Sequence, residues 1–185
     1  MNIVPVKPED LVPLKALTLV IGGARSGKSA FAEVLVAAHA AHVGCPPIYL
    51  ATGEACDAEM AERIRRHRER RGAPWRTVEA PRIVSLADLP AGAPVVFDCL
   101  TLWLTNLMLA RADVETGVAA LLAGFRTAPG PVVVVGNDVG AGIVPDTPLA
   151  RAFRDHAGEL NQRVAAAATG VILMTAGLPL VLKSI

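Results

Sequence analysis

Apolar residues in this chain come in short unbroken runs, separated by longer segments of helical period. "LTLVI" (17–21) is the first run, and it leads into a glycine-rich turn and an Ala- and Leu-rich helical segment from Lys28 to His42. "PIYLAT" (47–52) is a second strand, followed by a helix over 57–71 with Asp57 as N-cap and Glu59 near the positive end of the helix dipole. "WRTVEA" (75–80) reads as a short strand, and "PVVFDCL" (94–100), "PVVVVGN" (131–137) and "GVILMTAG" (170–177) as buried ones. Between them "TLWLTNLMLAR", "VAALLAGFR" and "PLARAFRDHAGELNQRVAAAA" have helical character. Strands without polar alternation, each followed by a helix, are buried on both faces. The pattern therefore predicts an α/β fold, a mainly parallel sheet flanked by helices. "LPLVLK" (178–183) closes it as an edge strand, where Pro179 is tolerated.

Length and composition narrow this to one domain. The chain has 185 residues, 52% hydrophobic but only 4% aromatic, so Ala, Val, Leu and Ile must build the core. No repeat, linker or low-complexity stretch divides residues 17–185. The preceding 1–16, with prolines at 5, 8 and 13, reads as a short mobile leader. It lacks the basic start and apolar run of a signal peptide, and no apolar stretch reaches membrane-spanning length. Cys45, Cys56 and Cys99 are odd in number and show no CxxC spacing, which points to reduced thiols in a cytoplasmic protein. A net charge of +1 offers no global field for nucleic acid or an anionic membrane.

The first turn carries the clearest chemistry. "GGARSGKS" (22–29) fits G-x-x-x-x-G-K-[ST] with a strand before it and a helix after it. Gly22, Gly23 and Gly27 let the backbone turn tightly, so that the N–H groups from Gly22 through Ala24, Arg25 and Ser26 can face phosphate oxygens. Lys28 would bridge the β- and γ-phosphates and Ser29 would hold Mg²⁺. The metal's carboxylate partner is expected at the end of a buried strand, where Asp98 stands. Asp138, at the end of another strand, is either a turn residue or a group that orders water or substrate. This motif implies a nucleoside triphosphate and is silent about what is done to it.

"RIRRHRERR" (63–71) poses a second question, since it sets His67 among six arginines. At about 100° per residue from Met60, Ile64 falls near 40°, His67 near −20° and Arg71 near 20°. His67 thus shares the apolar face of the helix, while Arg65, Arg66 and Arg68 fall outside it and read as solvated. Two readings stay open on pattern alone. One is a half-buried histidine on an arginine-rich helix. The other is a nucleophile whose neighbouring guanidiniums keep the imidazole neutral and stabilise a phosphoryl group and departing pyrophosphate.

Taken in order, "GGARSGKS", "YLATGE", "DAEMAERIRRHRERR", "WRTVE", "FDCLTLWLTNL", "GNDVGAGIVP", "LNQRVAAAA" and "AGLPL" resemble the bifunctional adenosylcobinamide kinase/adenosylcobinamide-phosphate guanylyltransferase family of cobalamin synthesis over nearly the whole chain. The resemblance implies a RecA-like P-loop NTPase fold, a homotrimer, and two reactions. ATP or GTP first phosphorylates adenosylcobinamide. GTP then guanylylates an enzyme histidine with loss of pyrophosphate, and GMP passes to adenosylcobinamide phosphate, giving adenosylcobinamide-GDP. In relatives the histidine lies in an "M-A-x-R-I-x-x-H" setting, and "MAERIRRH" places it at His67. The family's nucleotide contacts map onto Gly22 to Ser29, onto Ala51, Thr52 and Gly53, onto Arg68, Glu69, Arg70 and Arg71, and onto Glu79 and Asp98. Gly136-Asn137-Asp138 departs from the Ser-Asn-Glu that relatives often carry. Two further readings compete: a simple P-loop kinase of a small molecule, indifferent to His67, and an NTP-binding module using the basic helix, which the near-neutral charge disfavours.

Overall fold

The computed structural model describes residues 7–54, 58–82 and 85–183; within 58–71 the side chains of Glu59, Met60, Arg63, Arg66, His67, Arg68 and Arg70 are outside that description, as is the expected N-cap Asp57. Seven strands form one sheet in the order β3-β2-β4-β5-β1-β6-β7. They are β1 (Leu17–Gly22), β2 (Ile48–Ala51), β3 (Arg76–Glu79), β4 (Val95–Asp98), β5 (Val132–Asn137), β6 (Gly170–Thr175) and β7 (Leu178–Lys183). β7 pairs antiparallel with β6, and every other pairing is parallel. The helices are α1 (Lys28–Val43), α2 (Ala58–Arg71), α3 (Leu100–Leu109), α4 (Val114–Thr127) and α5 (Pro148–Ala167).

Both faces of the sheet are apolar because alternate residues of the same strand enter different cores. Leu19, Leu50, Phe97 and Val134 face α3, α4 and α5, where the Phe97 and Phe125 rings meet edge to face at 5.4 Å. Val20, Tyr49, Val96 and Val135 face α1, packing on Phe31, Ala32, Leu35 and Val36. Thr147 and Asp113 cap α5 and α4 by accepting the Ala150 and Thr116 N–H groups.

The described part of the leader, residues 7–16, packs on the domain through Leu11, Val12 and Leu14. Pro8–Leu11 forms one 3-10 turn, Leu14 is buried against α1, and the Leu14 N–H donates to His39 Nδ1 at 3.0 Å. Burial first and His42 second hold His39 below the ordinary imidazole value, which keeps that nitrogen an acceptor. Leu11 and Val12 also pack on this core. Leu11, Val12 and Leu14 cover apolar surface of α1 that would otherwise face water.

Candidate functional site

Parallel register brings the ends of the strands abreast. Ala51 lies opposite both Glu79 and Asp98, Asp98 opposite Val135, and Gly22 opposite Asn137. Gly22, Ala51, Glu79 and Asp98, the strand-end residues among those expected to meet nucleotide, therefore share the carboxyl edge of the sheet, where α/β proteins bind ligands.

The turn from Gly22 to Gly27 sits at the centre of that edge. A Cβ on Gly22 would lie 2.4 Å from the Met174 carbonyl oxygen and 2.7 Å from Ser26 Oγ, so glycine is required by the neighbouring strand β6. Gly27 has φ +93°, in the left-handed region that favours glycine, and its carbonyl accepts from the Phe31 N–H at the start of α1. Lys28 Nζ donates to the Gly23 carbonyl at 2.9 Å, which folds the ammonium over the turn. Ser29 Oγ donates to Asp98 Oδ1 at 3.4 Å, and the Tyr49 hydroxyl donates to Asp98 Oδ2. A hydroxyl and a carboxylate meeting beside a phosphate-type turn are the hard oxygen donors that Mg²⁺ takes. Burial and then the Asp98 charge raise Tyr49 far above an ordinary phenol, so it stays a donor to that carboxylate. Burial pushes the adjacent Cys99 thiol up to about 11, which removes it as a nucleophile at neutral pH.

The other expected contacts divide. Thr52 is fully buried; its hydroxyl donates to the Cys99 carbonyl at 2.9 Å and accepts from the Cys99 N–H at 2.7 Å. Its hydroxyl is thus committed to the β4–α3 junction. Gly53 faces α2 and α3, since a Cβ there would meet Leu102 Cδ1 at 3.3 Å and Ile64 Cδ1 at 3.8 Å. Glu79 is exposed at the end of the edge strand β3. Glu69 is exposed and pairs with Arg65, which also binds Glu62 at 2.7 Å, a solvated cluster on the outer face of α2. Asp138 lies beside the P-loop through its backbone, its N–H donating to the Gly22 carbonyl at 3.1 Å. Its carboxylate accepts from the Gly140 N–H at 3.2 Å, closing a turn.

Arg71, the last residue of α2, points inward. Only 3% of its side-chain surface is exposed; its guanidinium carbon lies 3.5 Å above the Tyr49 ring and its Nη1 lies 3.6 Å from Glu33 Oε1 of α1. A desolvated cation over an aromatic face is worth about 2 kcal/mol. With Ile64 lying near the Gly53 backbone and Arg71 buried, positions 64 and 71 mark the inner stripe of α2. Position 67 falls between them, three residues after the one and four before the other, on the same stripe by helical period.

Several contributors escaped the sequence reading. Tyr49 and Glu33 carry no local motif. The Asn106 amide donates to the carbonyls of Thr52 at 2.8 Å and Pro81 at 2.9 Å, tying the loop after β2 to the loop after β3. The Trp103 indole donates to the Arg82 carbonyl at 2.8 Å and supports the same loop. In sequence, "LWLTNL" shows only the periodicity of a buried helix. A buried amide within it was the available signal, because such groups need partners.

Residues 18–182 match the family described as Cobinamide kinase / cobinamide phosphate guanyltransferase. The chain is 44% identical to the bifunctional adenosylcobalamin biosynthesis protein CobP of Pseudomonas aeruginosa, covering 89% of this chain and 96% of the relative. It is 40% identical to CobU of Salmonella typhimurium (90% and 99%) and 37% identical to CobU of Escherichia coli (90% and 99%). Among solved structures, a KaiC-like protein of Pyrococcus horikoshii superposes with a TM-score of 0.53 at 13% identity, over 99% of this chain and 89% of its own. The flagellar accessory protein FlaH of Methanocaldococcus jannaschii gives 0.52 at 13% identity, over 94% and 80%. These two likenesses establish the RecA-like P-loop fold.

Proposed function

The chain belongs to the cobinamide kinase/cobinamide phosphate guanyltransferase family, and from that membership we propose how its residues share the two reactions. The protein is a bifunctional enzyme of adenosylcobalamin biosynthesis: it phosphorylates adenosylcobinamide and then guanylylates the product. The P-loop backbone from Gly22 to Ser29 binds the triphosphate of GTP, or of ATP as phosphate donor. Lys28 neutralises charge on the transferring phosphoryl group. Ser29 and Asp98 would hold Mg²⁺, which when bound offsets the charge of the phosphates. Tyr49 keeps the Asp98 carboxylate oriented.

In the second reaction His67 attacks the α-phosphorus of GTP, a P–N bond forms, the bond to the bridging oxygen breaks, and pyrophosphate leaves. A phosphate oxygen of adenosylcobinamide phosphate then attacks the same phosphorus. The P–N bond breaks, and the histidine is regenerated with adenosylcobinamide-GDP released. Arg68 and Arg70 on the same helix and Glu79 at the strand edge are the family's further nucleotide contacts. By the same resemblance the enzyme works as a cytoplasmic homotrimer. Among the described residues no helix is long and apolar enough to cross a membrane.

The spacing that supports His67 is its position on α2 three residues after Ile64, which lies near Gly53, and four before the buried Arg71. Incubation with α-labelled GTP and Mg²⁺ should label the protein through an acid-labile, alkali-stable bond, and His67→Ala should abolish the label. Label persisting in His67→Ala would reject the assignment. Absence of label in the unaltered protein, with adenosylcobinamide still phosphorylated, would leave a kinase that uses no covalent nucleotide.

A further inference from the structure

Five side chains from four elements form a continuous series of contacts that begins and ends on α1. Ser29 meets Asp98 at 3.4 Å, Asp98 accepts from the Tyr49 hydroxyl, the Tyr49 ring lies 3.5 Å beneath the Arg71 guanidinium, and Arg71 pairs with Glu33 at 3.6 Å. Glu33 and Ser29 are four residues apart on α1 and so share its face. Arg71 Nε and Nη1 make no hydrogen bond among the described residues. The guanidinium is held by the Glu33 charge and by the face of the Tyr49 ring, whose hydroxyl also supports Asp98 of the metal-binding pair.

The resemblance to relatives would make Arg71 a direct nucleotide contact. Its burial, and its place behind Tyr49 rather than at the open edge of the sheet, indicate another role. We propose that Arg71 is a positioning residue for guanylyl transfer: through Tyr49 and Glu33 it fixes the end of α2 against the Ser29–Asp98 pair, and so sets where the residue one turn earlier, His67, stands relative to a nucleotide on the P-loop. This rests on the reading of His67 as the GMP acceptor. The consequence is specific. GTP binds through the P-loop, which Arg71 does not touch, whereas the approach of the nucleophile to the α-phosphorus depends on the registration of α2. Lysine at 71 can keep a cation over the Tyr49 ring and near Glu33 but loses the planar stack, so it should restore part of the function.

The test uses the full-length protein, α-labelled GTP with Mg²⁺, and single-turnover labelling across a range of GTP concentrations. Arg71→Ala should lower the maximal labelling rate by about 30- to 100-fold, the scale expected of an ångström-sized misplacement, while half-saturation by GTP stays within about threefold. Arg71→Lys should recover a substantial part of that rate. Tyr49→Phe keeps the ring under Arg71 but frees Asp98, and should lower the rate by about fivefold with the same unchanged half-saturation. Hydrogen–deuterium exchange then reads position directly. In Arg71→Ala the α2 peptide (58–71) should exchange faster, while GTP still protects the P-loop peptide (22–29). An unchanged labelling rate, or a half-saturation raised more than about tenfold at an unchanged maximal rate, would overturn the proposal, the latter outcome marking a direct nucleotide contact. Should Arg71→Ala not fold, Arg71→Lys and Tyr49→Phe carry the same decision. Should the unaltered protein take no label, the His67 reading fails, and unchanged α2 exchange in Arg71→Ala would then overturn the positioning role by itself.

Discussion

Helices α1 and α2 lie against the same face of the sheet and are held there by opposite means. α1 buries Phe31, Ala32, Leu35 and Val36 in one continuous apolar layer with β1, β4 and β5, and Leu11, Val12 and Leu14 cover it further. α2, "AEMAERIRRHRERR", has almost no apolar surface to offer. Its described attachments are the Ile64 side chain near Gly53 and the Arg71 guanidinium on Tyr49 and Glu33. Hydrophobic burial is non-directional and large, so α1 serves as a floor for the phosphate turn. The described contacts of α2 are few and directional, so the contrast is between a helix set by a continuous apolar layer and one set by specific partners.

Four substitutions or conditions test that contrast, the largest effect first. Leu35→Ala should cost about 2–5 kcal/mol of unfolding free energy, as expected for a fully buried leucine. Denaturant titration would show it, with kinase and labelling activities falling together as the folded fraction falls. Ile64→Ala should cost only about 1 kcal/mol, the residue being half-buried, yet lower labelling far more than GTP binding. Comparable losses in stability from the two variants would erase the distinction between the helices.

Acid should act on the α1 side. Because His39 is held below its ordinary value, the unfolded chain binds its proton more readily than the folded one. The His39 contribution is therefore complete above about pH 6.5 and lost as pH falls through the lower, folded-state value. Exchange at the Leu14 amide should rise between pH 7.5 and 5, and a pH-independent rate relative to its neighbours would contradict the neutral acceptor. The smallest effect should come from Arg65→Ala. Its partners Glu62 and Glu69 are solvated, so the midpoint of thermal unfolding should not shift measurably.

The parts of the molecule legible in the sequence are those with a local period or a local motif. Strands β1, β4, β5 and β6 announce themselves as apolar runs, and the P-loop as a fixed spacing between a strand and a helix. The helical wheel put Ile64 and Arg71 on one packed face, and both turn inward. Asp98 was found by its place at a strand end, where it does meet Ser29. The Glu33–Arg71–Tyr49 arrangement was hidden because it joins three elements whose sequences carry no sign of one another. Tyr49, the chain's one tyrosine, looked like a strand residue and nothing more. The packing of Leu14 was hidden because the partner of its N–H is His39, 25 positions away, and no short-range pattern records such a bond. Thr52 shows the same limit: its hydroxyl is satisfied on both sides by Cys99, 47 positions away, and no local pattern records that pairing.

Asn106 bears on how this architecture tolerates change in length. Its amide spends both hydrogens on carbonyls of two different crossover connections, Thr52 after β2 and Pro81 after β3. The two connections are thereby held at the span of a single carboxamide. Residues inserted at 52–53 or 80–81 would strip a buried amide of a partner, whereas the exposed connection between α3 and α4 at 110–113 has no such ruler across it. Extra sequence in this fold should accumulate on the α3–α4 side, and the spacing of the loops after β2 and β3 should be the dimension least free to vary.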